Sequence, residues 1–185
     1  MTELSIHAKP TNNKSRVLFF LLLGLSVLVV GAYMLLRNFG VQKSGLLGVL
    51  ALALISAAVL VYTKYISPKL YYDLTSDAYG TQVFVVRQMT GKRQSTLCRI
   101  GLAEIQRIDR ETREERRAHK TPFSHKKYVY LPTLSPSVVY RLTTRSRYEE
   151  AEIVIEITAE VAEYLTRCVS EAKAYEAARE AEEEY

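Results

Sequence analysis

The chain has 185 residues, 48% hydrophobic and 24% charged, which is length for one modest domain and something else beside it. The hydrophobic residues gather in two uncharged runs, 17–36 and 44–63, a distribution that excludes a large multidomain enzyme, a secreted disulfide scaffold and a disordered chain. The formal charge of +5 comes from residues 1–68, with six basic side chains against Glu3, because residues 69–185 carry 19 basic and 19 acidic side chains.

Each apolar run holds 20 residues, and a helix rising about 1.5 Å per residue makes that roughly the thickness of a bilayer hydrocarbon core. No charged side chain interrupts either run, so both are read as membrane helices. The first is too long for the apolar part of a signal peptide and has no Ala-x-Ala site before Arg37, so it is read as retained. Seven residues, Arg37 to Lys43, separate the runs, too few to recross a bilayer. The helices therefore form an antiparallel hairpin with both termini on one side. Lys9, Lys14, Arg16, Lys64 and Lys69 flank that side against Arg37 and Lys43 on the other, which favours termini in the cytoplasm and a multi-pass protein of the inner (cell) membrane. Gly24 with Gly31, and Gly48 with Ser56, share helix faces where small residues allow close approach. They are expected to pack the hairpin, with a homo-oligomer seam as the alternative. Neither run holds an ionisable side chain, which argues against a proton or ion path.

The expected organisation is a tail over 1–16, a transmembrane hairpin over 17–66, a soluble domain over 69–175 and an acidic tail over 176–185. After Ser67-Pro68 the pattern becomes short β-branched and aromatic runs. Strands are expected at 70–75, 82–89, 95–100, 104–109, 127–131, 138–143 and 148–157, with Thr90-Gly91-Lys92 turning between the second and third. Thr158 is placed to cap a final helix on which Val161, Leu165, Cys168 and Ala172 line one face. The resulting fold class is α+β: a bent antiparallel sheet or partly open barrel closed by one amphipathic helix. Past Tyr175 that helix is expected to fray into an acidic tail.

Tyr72-Asp-Leu-Thr75, the strand Val83-Phe-Val-Val86, the turn glycine Gly91 and Ile100-Gly-Leu-Ala-Glu-Ile-Gln-Arg-Ile108 resemble the bacterial pleckstrin-homology-like domain of small membrane proteins. In that family a pair of membrane helices commonly precedes such a domain. The resemblance implies a seven-stranded antiparallel barrel or sheet with a capping helix, tethered at the cytoplasmic face. It supplies no catalytic residue. The stretch 76–80, where phosphoinositide-binding members carry bases, has none, so specific inositol-phosphate recognition is not implied.

The segment 107–127 concentrates charge: Arg107, Arg110, Arg113, Arg116, Arg117, Lys120, Lys126 and Lys127 against Asp109, Glu111, Glu114 and Glu115, a net of +4. Beside a membrane such a segment is drawn to anionic lipid headgroups. Contact with a protein partner and plain solvation, with Arg and Glu paired along a short helix, are the other readings. Nucleic acid is disfavoured because aromatic residues are not interleaved with these bases and the domain is neutral. Cys98 and Cys168 have no metal spacing and read as reduced core residues. His119 and His125 sit among cations, which disfavours zinc. No phosphate loop, nucleophile elbow or zinc-protease helix occurs. The expectation is a non-enzymatic, cofactor-free, membrane-anchored interaction module, or alternatively a structural subunit whose hairpin packs into a larger membrane complex.

Overall fold

The computed structural model describes residues 2–39, 45–77, 80–121, 125–145 and 150–183. Lys43, Ala78, Tyr79, and Tyr148 with Glu149 at the head of the last expected strand lie outside the described residues. The chain forms two compact units, residues 10–68 and residues 1–9 with 69–185.

The first unit is helical. Helix α1 runs Lys14–Asn38 and α2 runs Gly45–Val61. A π-helical turn, Tyr62–Ile66, extends α2 toward Ser67 and Pro68. The two spans, 25 and 22 residues long with mean hydropathy 2.6 and 2.5, are long and apolar enough to cross a membrane. They are antiparallel: the rings of Phe19, near the start of α1, and Tyr62, at the end of α2, lie 5.6 Å apart. The buried positions at their contact are small, Ser26 on α1 with Ala51 and Ala58 on α2.

The seam differs from the expected one. Gly24 and Gly31 have nothing within 4 Å of where a side chain would begin. Ser56 is exposed, its hydroxyl donating to the carbonyl of Leu52 at 2.8 Å. Only Gly48 approaches the other helix, 4.0 Å from the Tyr33 ring. The reason is angular: Gly24 and Gly31 stand two residues before Ser26 and Tyr33, about 200° round the helix from the contact face.

The second unit, the head, contains two four-stranded sheets. In sheet 1 the order is β1 (Thr2–Ala8), β2 (Pro68–Ser76), β3 (Gln82–Thr90) and β4 (Arg93–Gly101). In sheet 2 it is β5 (Ile105–Thr112), β7 (Val138–Arg145), β8 (Glu150–Ile155) and β6 (His125–Tyr130). A short helix α3 (Arg113–Ala118) follows β5, and α4 (Ala159–Glu183) ends the chain. Tyr72, Phe84 and Val86 from sheet 1 meet Ile105, Leu142, Ile153 and Ile155 from sheet 2 and Leu165 from α4 in one core. Each large side chain buried there contributes about 1.5–3 kcal/mol.

Strands β2 to β8 fall where alternation places them, but three expectations are corrected. The stretch 1–16 is not a free tail, because Thr2–Ala8 pairs antiparallel with β2, Ile6 opposite Tyr72 and Ala8 opposite Leu70. The strands do not form one antiparallel barrel: β6 lies parallel to β8, with Tyr128 opposite Ile153. Parallel neighbours cannot be joined by a tight turn: β6 and β8 are connected through β7, and the crossover after β5, which includes α3, carries β6 to the opposite edge of sheet 2. The acidic end does not fray within the described residues. Helix α4 continues to Glu183, through an Ala- and Glu-rich sequence of strong helix formers.

Thr158 caps α4 as expected: its hydroxyl accepts from the N–H of Val161 at 3.4 Å. The buried face is Ala162, Leu165, Cys168 and Val169, with Ala172 packed beside it. Val161 is only half-buried, since the face turns one residue further round than the expected stripe.

Candidate functional site

The segment 107–127 is the first candidate, and the structure divides its bases. Arg107 is exposed and paired with Asp109 at 2.5 Å. Arg110 lies on β5 at the rim of a groove, while Arg113 and Arg117 lie exposed on α3. Thr112 caps α3 in a reciprocal box: Glu115 N–H donates to its hydroxyl, and its own N–H donates to the Glu115 carboxylate at 2.7 Å. These hydrogen bonds from Thr112, backbone first and then hydroxyl, hold the Glu115 carboxyl below its ordinary range. Arg116 points inward and donates to the carbonyl of Pro136 at 3.3 Å. Lys120, Lys126 and Lys127 are exposed, the last two on edge strand β6, where lysine discourages further strand pairing.

Beneath this crossover lies a charge centre that patterning does not reveal. Arg141 of β7, only 2% exposed, donates from Nε and Nη2 to the two oxygens of Glu111 on β5, both at 2.7 Å. Its Nη1 donates to Glu152 on β8. Glu152 also accepts from the Thr121 hydroxyl at 2.8 Å, and His119 Nε2 lies 3.0 Å from its other oxygen. Burial pushes the Glu152 carboxyl up, but Thr121, His119 and Arg141 together outweigh that and leave it below the ordinary carboxylate value. Beside it, His125 Nε2 sits 2.8 Å from Glu150. The crossover is thus pinned to sheet 2 through His119 and Thr121. Breaking such a buried ion pair by removing one member costs about 3–5 kcal/mol. The sequence signal was Arg141 inside the apolar run Val138-Val-Tyr-Arg-Leu142, facing Glu152 set among isoleucines.

Sheet 1 has a counterpart. Buried Asp73 on β2 accepts from Ser5 on β1 and pairs with Arg87 on β3. The hydrogen bond to Asp73 raises the affinity of Arg87 for its proton. This contact crosses three neighbouring strands and fastens β1 to the sheet.

Where the sheets meet at one edge, the Tyr72 hydroxyl donates to the carbonyl of Tyr130 at 2.7 Å and accepts from the N–H of Glu156 at 3.3 Å. Burial pushes the Tyr130 hydroxyl up to about 12. Burial likewise raises the Cys98 thiol, against the opposing effect of its hydrogen bond with Tyr130. Cys168 is buried in the core, as its place on the helix face required.

The second candidate is an open groove of about 830 Å³ between α4 and sheet 2. Ile108, Val138, Tyr140, Ile157 and Ala162 give it an apolar floor, and Arg110, Glu163 and Arg167 a charged rim. Its outer border, β5, is an edge strand of sheet 2. Among the described residues, no three His, Cys, Asp or Glu side chains are placed to hold a metal ion. The arrangement offers apolar contact, strand-edge hydrogen bonding and surface charge, with the buried carboxylates of Glu111 and Glu152 already committed to Arg141.

Comparison with known proteins gives no match to any family, curated protein or solved structure.

Proposed function

We propose that the chain is a non-enzymatic, membrane-anchored interaction module. In this reading α1 and α2 cross the inner membrane as a hairpin, both termini are cytoplasmic, and a pleckstrin-homology-like head is offered to a protein or to anionic lipid. The observation that carries it is the pairing of Ala8 with Leu70. The chain leaves for α1 and returns from α2 at adjacent points of one sheet, so a bilayer crossed by both helices keeps β1 and the rest of the head on one side. The excess of flanking bases at this side supports the cytoplasm. The order of seven strands, β2 to β8, followed by α4 supports the pleckstrin-homology-like reading, with β1 and the parallel β6 as departures from it. The apolar groove along β5 suits a protein segment, and the exposed bases of α3 suit anionic headgroups.

The test uses the full-length chain. It is expected to float with phospholipid vesicles and to resist alkaline extraction. A photocrosslinker replacing Ser170 in the groove is expected to capture a protein partner from native membranes more strongly than one replacing Glu114 on α3. Recovery of the chain in the detergent-free supernatant overturns the anchored reading.

A second reading, a structural subunit, is favoured by one observation: Gly24 and Gly31 present a smooth outward strip with nothing packed on it. Small residues of this kind admit another membrane helix. Crosslinking from position 31, and none from the head, selects this reading.

A further inference from the structure

The register of sheet 1 distinguishes its two ends. Ala8 and Leu70 mark the end at which the connections to the apolar helices leave, and Thr2 with Thr75 marks the other. Asp77 N–H donates to the Thr81 carbonyl at 2.9 Å across the connection from β2 to its neighbour β3, so β3 begins at the Thr75 end and its far end, Thr90, returns to the Ala8/Leu70 end. There it pairs with Arg93 across the two-residue turn Gly91-Lys92. Gly91 has φ +61°, and no described non-glycine residue has a positive φ. Positive then negative is the order required by a type II′ hairpin turn. The turn is therefore short and stiff, and it presents Lys92 and Arg93 outward, both exposed.

Continuing the β1/β2 register one step past Ala8 and Leu70 sets Lys9 opposite Lys69, both exposed. This end of sheet 1 thus gathers Lys9, Lys69, Lys92 and Arg93. Among residues 7–9, 68–71 and 88–95 there is no acidic side chain. The opposite end is mixed: Asp77 pairs with Arg99 at 3.7 Å, and Glu104 stands nearby in the turn before β5. Like charges gathered at one end of a sheet repel one another, and an anionic surface relieves that repulsion.

We propose that the β3–β4 turn, with Lys9 and Lys69, is a basic foot by which the head rests on the anionic headgroups of the bilayer that its own hairpin crosses. The inference rests on the membrane-anchored reading and adds a contact to it. The tether makes a small patch sufficient, because a covalently attached group meets the surface at high effective concentration. Asp77 and Thr81 are left at the other end of the sheet, away from this contact.

The experiment uses full-length protein with Cys98 and Cys168 replaced by alanine, reconstituted in phosphatidylcholine vesicles with and without phosphatidylglycerol. An environment-sensitive fluorophore is attached at Thr90→Cys or, as the control, at Thr81→Cys. Lys92→Gln/Arg93→Gln is added to each. In anionic vesicles the label at 90 is expected to be shielded from aqueous quencher and quenched by headgroup-labelled lipid, whereas the label at 81 remains open to water. Each neutralised base is expected to reduce the surface-bound to free ratio roughly fivefold, and removing phosphatidylglycerol or raising salt to have the same sense. Equal aqueous quenching at 90 and 81, in protein that floats with anionic vesicles, overturns the basic foot while leaving the anchored reading intact. Failure of the protein to float overturns both. Shielding at 90 that persists in phosphatidylcholine alone and in the Gln pair also overturns it, and points to a protein contact instead.

Discussion

In the helical unit the large side chains lie outside: Phe20 is 66% exposed, Leu28 71% and Leu46 76%, while Ser26, Ala51 and Ala58 are inside. In the head the order is reversed, with Leu142 and Ile155 fully buried. The contrast is the one that two solvents, lipid for α1 and α2 and water for the head, would produce. Water makes burial of large apolar groups the driving force, whereas lipid is as apolar as leucine, so close approach of small residues holds the helices together. The head also spends buried space on charge, at Asp73 and around Arg141, and each centre fastens a segment that patterning leaves loose.

The strongest way to break this contrast is Arg141→Ala. It leaves Glu111 and Glu152 buried without their cation and is expected to destabilise the head by about 3–5 kcal/mol. Near-ultraviolet circular dichroism of the detergent-solubilised full chain in urea checks it, and the helicity of the hairpin should survive. Next in size is Ala58→Leu at the helix seam. Overpacking there should cost about 1–3 kcal/mol of hairpin stability, read by denaturation in mixed micelles, with no change in the head.

Acid sharpens the same comparison. The Glu152 carboxyl is held below its ordinary value of 4.5, so its contribution is complete above that value and is lost as pH falls through the lowered one. Head stability should therefore decline on acidification below about pH 4.5, and Glu152→Gln should flatten that decline in urea titrations at stepped pH. The smallest effect is expected from Gly31→Ala. Its position meets nothing within 4 Å, so hairpin stability should stay within about 0.5 kcal/mol.

Much of this architecture is legible in the residues. Two uninterrupted apolar runs give the spans, and the alternation of Ile153 and Ile155 with Glu152 and Val154 gives the last strand. Thr158 marks the helix start. Strand β1 was also legible, because Leu4, Ile6 and Ala8 alternate with Ser5 and His7, but a short polar-looking segment before a membrane run reads as a tail until its partner is known. Parallel pairing of β6 with β8 is non-local and leaves no mark in either strand. The faces of α1 carry no polar contrast, so small-residue spacing points equally to the seam or away from it. Glu152 and Arg141 sit on the outward phase of their strands, and only the crossover lying over that face makes them interior.

In the proposed topology a double crossing begins and ends at neighbouring strands of one sheet. The measurement that meets it most directly is labelling of oriented membrane vesicles with an impermeant thiol reagent. The full-length chain would carry single reporters at Asn13→Cys, Phe39→Cys or Lys92→Cys, with Cys98 and Cys168 replaced. Positions 13 and 92 are expected to react from the same side and position 39 only from the other. Reaction of 13 and 92 from opposite sides, or of 39 from the side of 13, contradicts it.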